Sequence, residues 1–156
     1  MTHALPLLDV ELADRFEVRG VRGADGLFDA LLGLLPAGSR LVLEGASGST
    51  VQGFLEARAV APRVGVPWGT VWPEPFVRHL PVDVTTMGDV SHLANELAEP
   101  ELCTHLVAYR DADALVVGYD VFTFTQPLLL APSLGEPAVA AFCERLGATY
   151  ARIPKP

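Results

Sequence analysis

Hydrophobic positions along this chain switch between a period of two and a period near 3.6, and the switches mark out the elements. "RFEVRGV" (15–21) sets Phe16 and Val18 two apart, which predicts a short strand. In "GADGLFDALLGLLPAGS", Leu27, Phe28, Leu31, Leu34 and Leu35 recur at helical spacing. Asp25 is the expected N-cap and Pro36 the stop. The wide apolar stripe marks a well-buried helix. "RLVLE" (40–44) follows as a short aliphatic run between turn residues, the signature of a buried strand.

"STVQGFLEARAV" (49–60) reads as a second helix with Val51, Phe54 and Leu55 on one face and Pro62 ending it. The next stretch, "VGVPWGTVWPEPFVRHLPVD", is broken by four prolines, which predicts a strand near 69–72 and then an extended loop. "TTMGDVSHLANELAEP" is a helix with Val90, Leu93 and Leu97 as its stripe, a Thr86/Asp89 pair resembling a capping box, and Pro100 closing it. Two strands are expected near 103–110 and 114–124, joined by Asp111-Ala112-Asp113 in a hairpin. Val139, Phe142, Cys143 and Leu146 mark a last helix, with Pro137 in its first turn and Gly147 past its end. "ATYARI" reads as a final strand.

This order predicts an α+β fold: a mixed β-sheet of about five or six strands with three to four helices packed on it. The 156 residues fit a single domain, with 1–14 as an N-terminal extension and 154–156 as a tail. Half the residues are hydrophobic, enough for a core without staples. No run reaches the roughly 18–20 apolar residues of a membrane helix, and the start lacks the basic region of a signal peptide. Cys103 and Cys143 are too few for a disulfide framework and are expected as reduced, buried thiols in a cytoplasm.

Charge narrows the chemistry. The net charge of −8 offers no basic footprint, so no nucleic-acid partner is expected. Residues 89–120 hold seven acids against one base, Arg110, which reads as a solvated surface or a docking face for a basic partner. Ten of the eleven cations are arginine. The one lysine, Lys155, stands second from the end, which removes chemistry that needs an internal Schiff-base or phosphate-loop lysine.

"LVLEGASGST" (41–50) is the stretch with the look of a ligand loop. A dinucleotide fingerprint needs a third glycine where Val51 stands, and an acid about twenty residues on, where none is found. A nucleophile elbow at Ser47 has Gly45 two places before it but Ser49 two places after. Asp83 or Asp89 followed by His105 would complete the chain order of a triad. Ser47, Gly48, Ser49 and Thr50 at a helix start could bind an anion through backbone N–H groups. The simplest reading is structural: Ser49 and Gln52 have capping-box spacing, with Gly45 and Gly48 freeing the turn.

Trp68, Trp72, Phe76 and Arg78 lie on a proline-stiffened segment and are candidates for a contact surface, as are Asp111 and Asp113 on the hairpin. Cys103 and His105, two apart on a strand, could join Cys143 and His92 around a metal. A buried thiol beside an imidazole is the expected arrangement instead, and no metal or cofactor is expected. Tyr119, Asp120 and Gln126 could form a small polar pocket with Arg110, with ion pairing the expected role. The sequence therefore reads as a cytosolic binding or interaction module, non-catalytic, acting on a protein partner or on a second copy of itself. The alternative is a small enzyme or ligand sensor taking an anion at Gly45–Thr50.

Overall fold

The computed structural model describes residues 14–24, 26–66, 76–96, 102–123 and 125–154. Seven strands form one sheet: β1 (Arg15–Arg19), β2 (Arg40–Glu44), β3 (Val77–Pro81), β4 (His105–Arg110), β5 (Asp113–Gly118), β6 (Leu128–Leu130) and β7 (Thr149–Ile153). Helices α1 (Leu27–Leu34), α2 (Ser49–Arg58), α3 (Val84–Glu96) and α4 (Glu136–Leu146) interrupt them. The sheet order is β3-β2-β4-β5-β6-β1-β7, and every pairing is antiparallel. The fold is thus α+β as expected, but the sheet is larger than five or six strands and antiparallel rather than mixed.

Alternation along the strands divides the core into two faces. Phe16, Val18, Leu41, Leu43, Leu80, Leu106, Ala108, Leu128 and Leu130 point to the helix side and meet Leu27, Phe28, Leu31, Leu55, Met87, Val90, Val139 and Phe142. Each such fully buried side chain contributes about 1.5–3 kcal/mol. On the other face Val42, Val107, Tyr109, Ala114, Val117 and Leu129 form a smaller cluster, covered in part by Val64. A bulge lets β5 serve both faces. Tyr109 pairs with Ala114 and Ala108 with Val116, so Leu115 is the extra residue and turns into the helix-side core.

Several local expectations are corrected. β3 occupies part of what read as an extended loop. It is an edge strand, where Pro81 costs no interior ladder bond, and Val60 N–H bonds to the His79 carbonyl at 2.8 Å on its outer side. The strand expected near 69–72 and the Asp25 cap lie outside the described residues. β6 is a further strand, and β5 stops at Gly118, followed by a 3₁₀ turn over Val121–Thr123. α3 begins at Val84, and Asp83 rather than Thr86 caps it, accepting from the Thr86 N–H at 2.7 Å. The hairpin loop is Asp111-Ala112 alone, with Asp111 at φ +54° and Asp113 already paired with Arg110. α4 has its expected stripe, with Val139, Phe142 and Cys143 buried.

Candidate interaction surface

The antiparallel ladder gives the sheet two ends. Glu44, Val77 and His105 lie side by side at one, with Arg40, Pro81 and Arg110 at the other. The glycine loop leaves β2 at the first end. Gly45 N–H donates to the Phe76 carbonyl at 2.8 Å and Thr104 N–H to the Glu44 carbonyl at 2.7 Å, so loop, Phe76 and Thr104 form one knot.

No capping box forms there. Gly48, at φ +88°, occupies the N-cap position of α2, and no side chain caps the helix. Ser49 is already helical, and Gln52 reaches back to the Ala46 carbonyl at 3.0 Å. Ser47, Gly48, Ser49 and Thr50 are all exposed. The loop therefore closes through backbone bonds and Gln52, not through the expected serine.

Two stacked arginines stand beside this knot. Arg58 lies over the Phe54 ring, 3.6 Å from its centroid, and Arg78 over the Phe76 ring at 4.1 Å. Each is also paired with an acid, Arg58 with Asp89 at 3.1 Å and Arg78 with Glu56. The spacing explains the stacks. Phe54 and Arg58 are one helical turn apart on α2, and Phe76 and Arg78 differ by two along an extended strand. Stacking fixes the guanidinium planes before any partner arrives, and Arg and aromatic residues dominate protein-contact energetics. Between α2 and α3 runs an open groove of about 310 Å³ lined by Phe54, Arg58, Asp89, His92, Leu93 and Glu96. Phe54 and Leu93 make it apolar, while Asp89 and Glu96 give it carboxylates.

Of the contact residues expected from sequence, Phe76 and Arg78 belong to this surface. Trp68 and Trp72 lie outside the described residues. Asp111 and Asp113 are exposed on the β4–β5 hairpin, outside the groove lining and about 17 Å along β4 from its His105 end. The described acids of 89–120 do not share one face: Asp89 and Glu96 are on α3, Asp111 and Asp113 on the hairpin, and Asp120 beyond the other end of β5. That separation also rules out a pocket joining Asp120 to Arg110. Phe54, Glu56 and Arg58 were not anticipated as contact residues, and Asp89 only as one of the acids of 89–120; the Phe-x₃-Arg spacing on a helix was the available signal for Phe54 and Arg58.

His79 and His105 are held in structural contacts. His79 is buried, and its Nδ1 stands 2.9 Å from the Tyr109 hydroxyl, which also accepts the Arg63 N–H at 3.2 Å. Which of His79 and Tyr109 donates in their contact depends on the His79 tautomer. Burial first, and the Arg40 charge second, hold the His79 pKa below its usual value. His105 Nδ1 accepts the Asp120 N–H at 2.9 Å, and Nε2 faces the buried Glu44 carboxylate at 3.9 Å. This is the other face of the sheet from Cys103, which lies in the helix-side core, so the two do not share a strand face as expected. Burial pushes both thiols up, Cys103 strongly. Among the described residues no group of three or more His, Cys, Asp or Glu side chains is placed to hold a metal ion, and no helix is long and apolar enough to cross a membrane.

Comparisons with protein-family models, with curated proteins and with solved structures return no match.

Proposed function

We propose that this chain is a cytosolic, non-catalytic interaction module that binds a protein partner through the α2–α3 groove and the stacked arginines beside it. The observation that carries the reading is the groove itself: apolar Phe54 and Leu93 share its lining with Asp89 and Glu96, whose present partners Arg58 and His92 a more basic side chain would have to displace or join. Such a lining suits a long basic side chain, whose stem packs on the apolar residues while its charged head meets the carboxylates. The partner is therefore a protein presenting arginine or lysine, and the overall charge of −8 draws it in at long range. Arg58 and Arg78, already held over their rings, lose little freedom when covered.

The test is affinity capture by the full chain from its own cytosol, with two double variants of equal charge change. Asp89→Lys/Glu96→Lys alters the groove; Asp111→Lys/Asp113→Lys alters the β4–β5 hairpin. Partners held by the wild type and by the hairpin variant, but released by the groove variant, support the reading. Equal capture by all three, or equal loss in both variants, would count against it.

A further inference from the structure

The two edges of the sheet are treated differently. The β3 edge is shielded by Pro81 and by the Val60 bridge to His79. The β7 edge, "TYARI", has no proline, lysine or bulge, pairs with β1 over all five residues, and among the described residues no strand pairs with its outer side. An edge strand with no proline, bulge or covering strand, and Arg152 as its one charge, invites a further strand. We propose that the β7 edge pairs with β7 of a second copy of this chain, antiparallel about a two-fold axis at Ala151, joining two seven-stranded sheets into one.

The residues of β7 carry the register. A two-fold axis at Ala151, the central residue, pairs all five positions, and any other centre leaves some unpaired. It sets Thr149 opposite Ile153 of the second copy and Tyr150 opposite its Arg152, so no like charges face each other. Tyr150 and Arg152 lie on the helix side of the sheet, as their β1 neighbours Val18 and Phe16 do. Arg152 already sits over the Phe16 ring at 5.2 Å and is exposed. Tyr150 of the second copy would complete a sandwich around that guanidinium. The Tyr150 hydroxyl donates to Glu136 at 3.1 Å, which brings a carboxylate to the end of that ring. Each Arg152 thus meets a ring and an acid from the other copy, twice over by symmetry. The surface is independent of the α2–α3 groove, which lies towards the β3 edge. A dimer formed this way would carry two grooves at its far ends and bind a repeated partner with avidity.

Sedimentation velocity on the full chain over a concentration series is the first measurement, and a reversible dimer is expected. Ala151→Cys should cross-link under mild oxidation. Antiparallel partners have Cα atoms about 4.5–5.5 Å apart, within disulfide reach. Thr149→Cys should not cross-link, because two copies of that residue lie about 14 Å apart. The native cysteines are buried and do not compete. Arg152→Glu and Glu136→Arg should each raise the dimer Kd by about tenfold or more, and an equimolar mixture should regain it, because opposite charges then meet at both contacts. A monomer at every concentration would overturn the proposal, as would a dimer that fails to cross-link at residue 151 or is indifferent to both charge reversals. None of these readouts depends on groove binding, so the two proposals fail separately.

Discussion

Gly45 is where loop geometry can be weighed most directly. Its φ of +95° is unfavourable for any residue with a Cβ, and a Cβ placed there would stand 2.5 Å from Thr104 Oγ1, 3.0 Å from Thr104 Cβ and 3.2 Å from Thr104 N. The last contact cannot relax freely, because that N–H is bonded to the Glu44 carbonyl at 2.7 Å. Gly45→Ala therefore carries about 1–3 kcal/mol of backbone strain and about 1–3 kcal/mol of overpacking. Gly48 separates these contributions. Its φ is also positive, at +88°, but a Cβ there meets nothing within 4 Å. Gly48→Ala should show the conformational cost alone, about 1–3 kcal/mol. Urea unfolding followed by tryptophan fluorescence, at one fixed protein concentration, reads the difference. With slopes of about 1–3 kcal/mol per M, Gly45→Ala should lower the midpoint by roughly 1–3 M. Adding Thr104→Ala should return part of the loss as a favourable coupling of about 1 kcal/mol. A Gly45→Ala protein no less stable than Gly48→Ala would refute the packing argument.

Other consequences are equally specific. His79 is held neutral in the folded state with a lowered pKa, so below about pH 6.5 the unfolded chain binds a proton that the folded one refuses. Its contribution to stability is present above pH 6.5 and is lost as pH falls towards the lowered value, with a slope of at most about 1.4 kcal/mol per unit. His79→Gln should flatten that part of the stability curve, and an unchanged slope contradicts the assignment. Tyr109→Phe leaves the Arg63 N–H and His79 Nδ1 without their shared hydroxyl and should cost about 1–3 kcal/mol by urea unfolding; a neutral result would mean that the bond contributes nothing. Inorganic phosphate should raise the melting temperature only by the non-saturating increment that its exclusion from protein surfaces gives, equal in wild type and Gly48→Val. A saturable rise abolished by Gly48→Val would instead make the loop an anion site.

The helical part of this fold was legible because each helix carries a long apolar stripe: Leu27, Phe28 and Leu31, or Val139, Phe142 and Cys143, repeat often enough to fix the period. Three strand readings failed for different physical reasons. β6 is three leucines between Pro127 and Pro132, too short to show alternation. β3 carries a proline that only an edge position tolerates, and edge status depends on sheet order. The mixed-sheet expectation came from early β-α-β alternation, yet α1, α3 and α4 join strands that have others inserted antiparallel between them, and α2 joins the antiparallel neighbours β2 and β3. At the loop, the Ser49/Gln52 spacing was a true local signal overridden by one residue of helix register. The contact surface was half legible. Phe76 and Arg78 stood out beside the tryptophans, but Asp89 and Glu96 join Phe54 only when α3 packs beside α2, and nothing along the chain specifies that neighbour.

The central claim is that the groove between α2 and α3 touches another protein. A photo-reactive phenylalanine analogue placed at His92, which lines the groove and is 79% exposed, tests this inside the host cell. A defined covalent adduct should form there, disappear when Asp89→Lys is added, and be absent when the analogue is placed at Asp113. Adducts of equal yield at both positions, or none at residue 92, would contradict it.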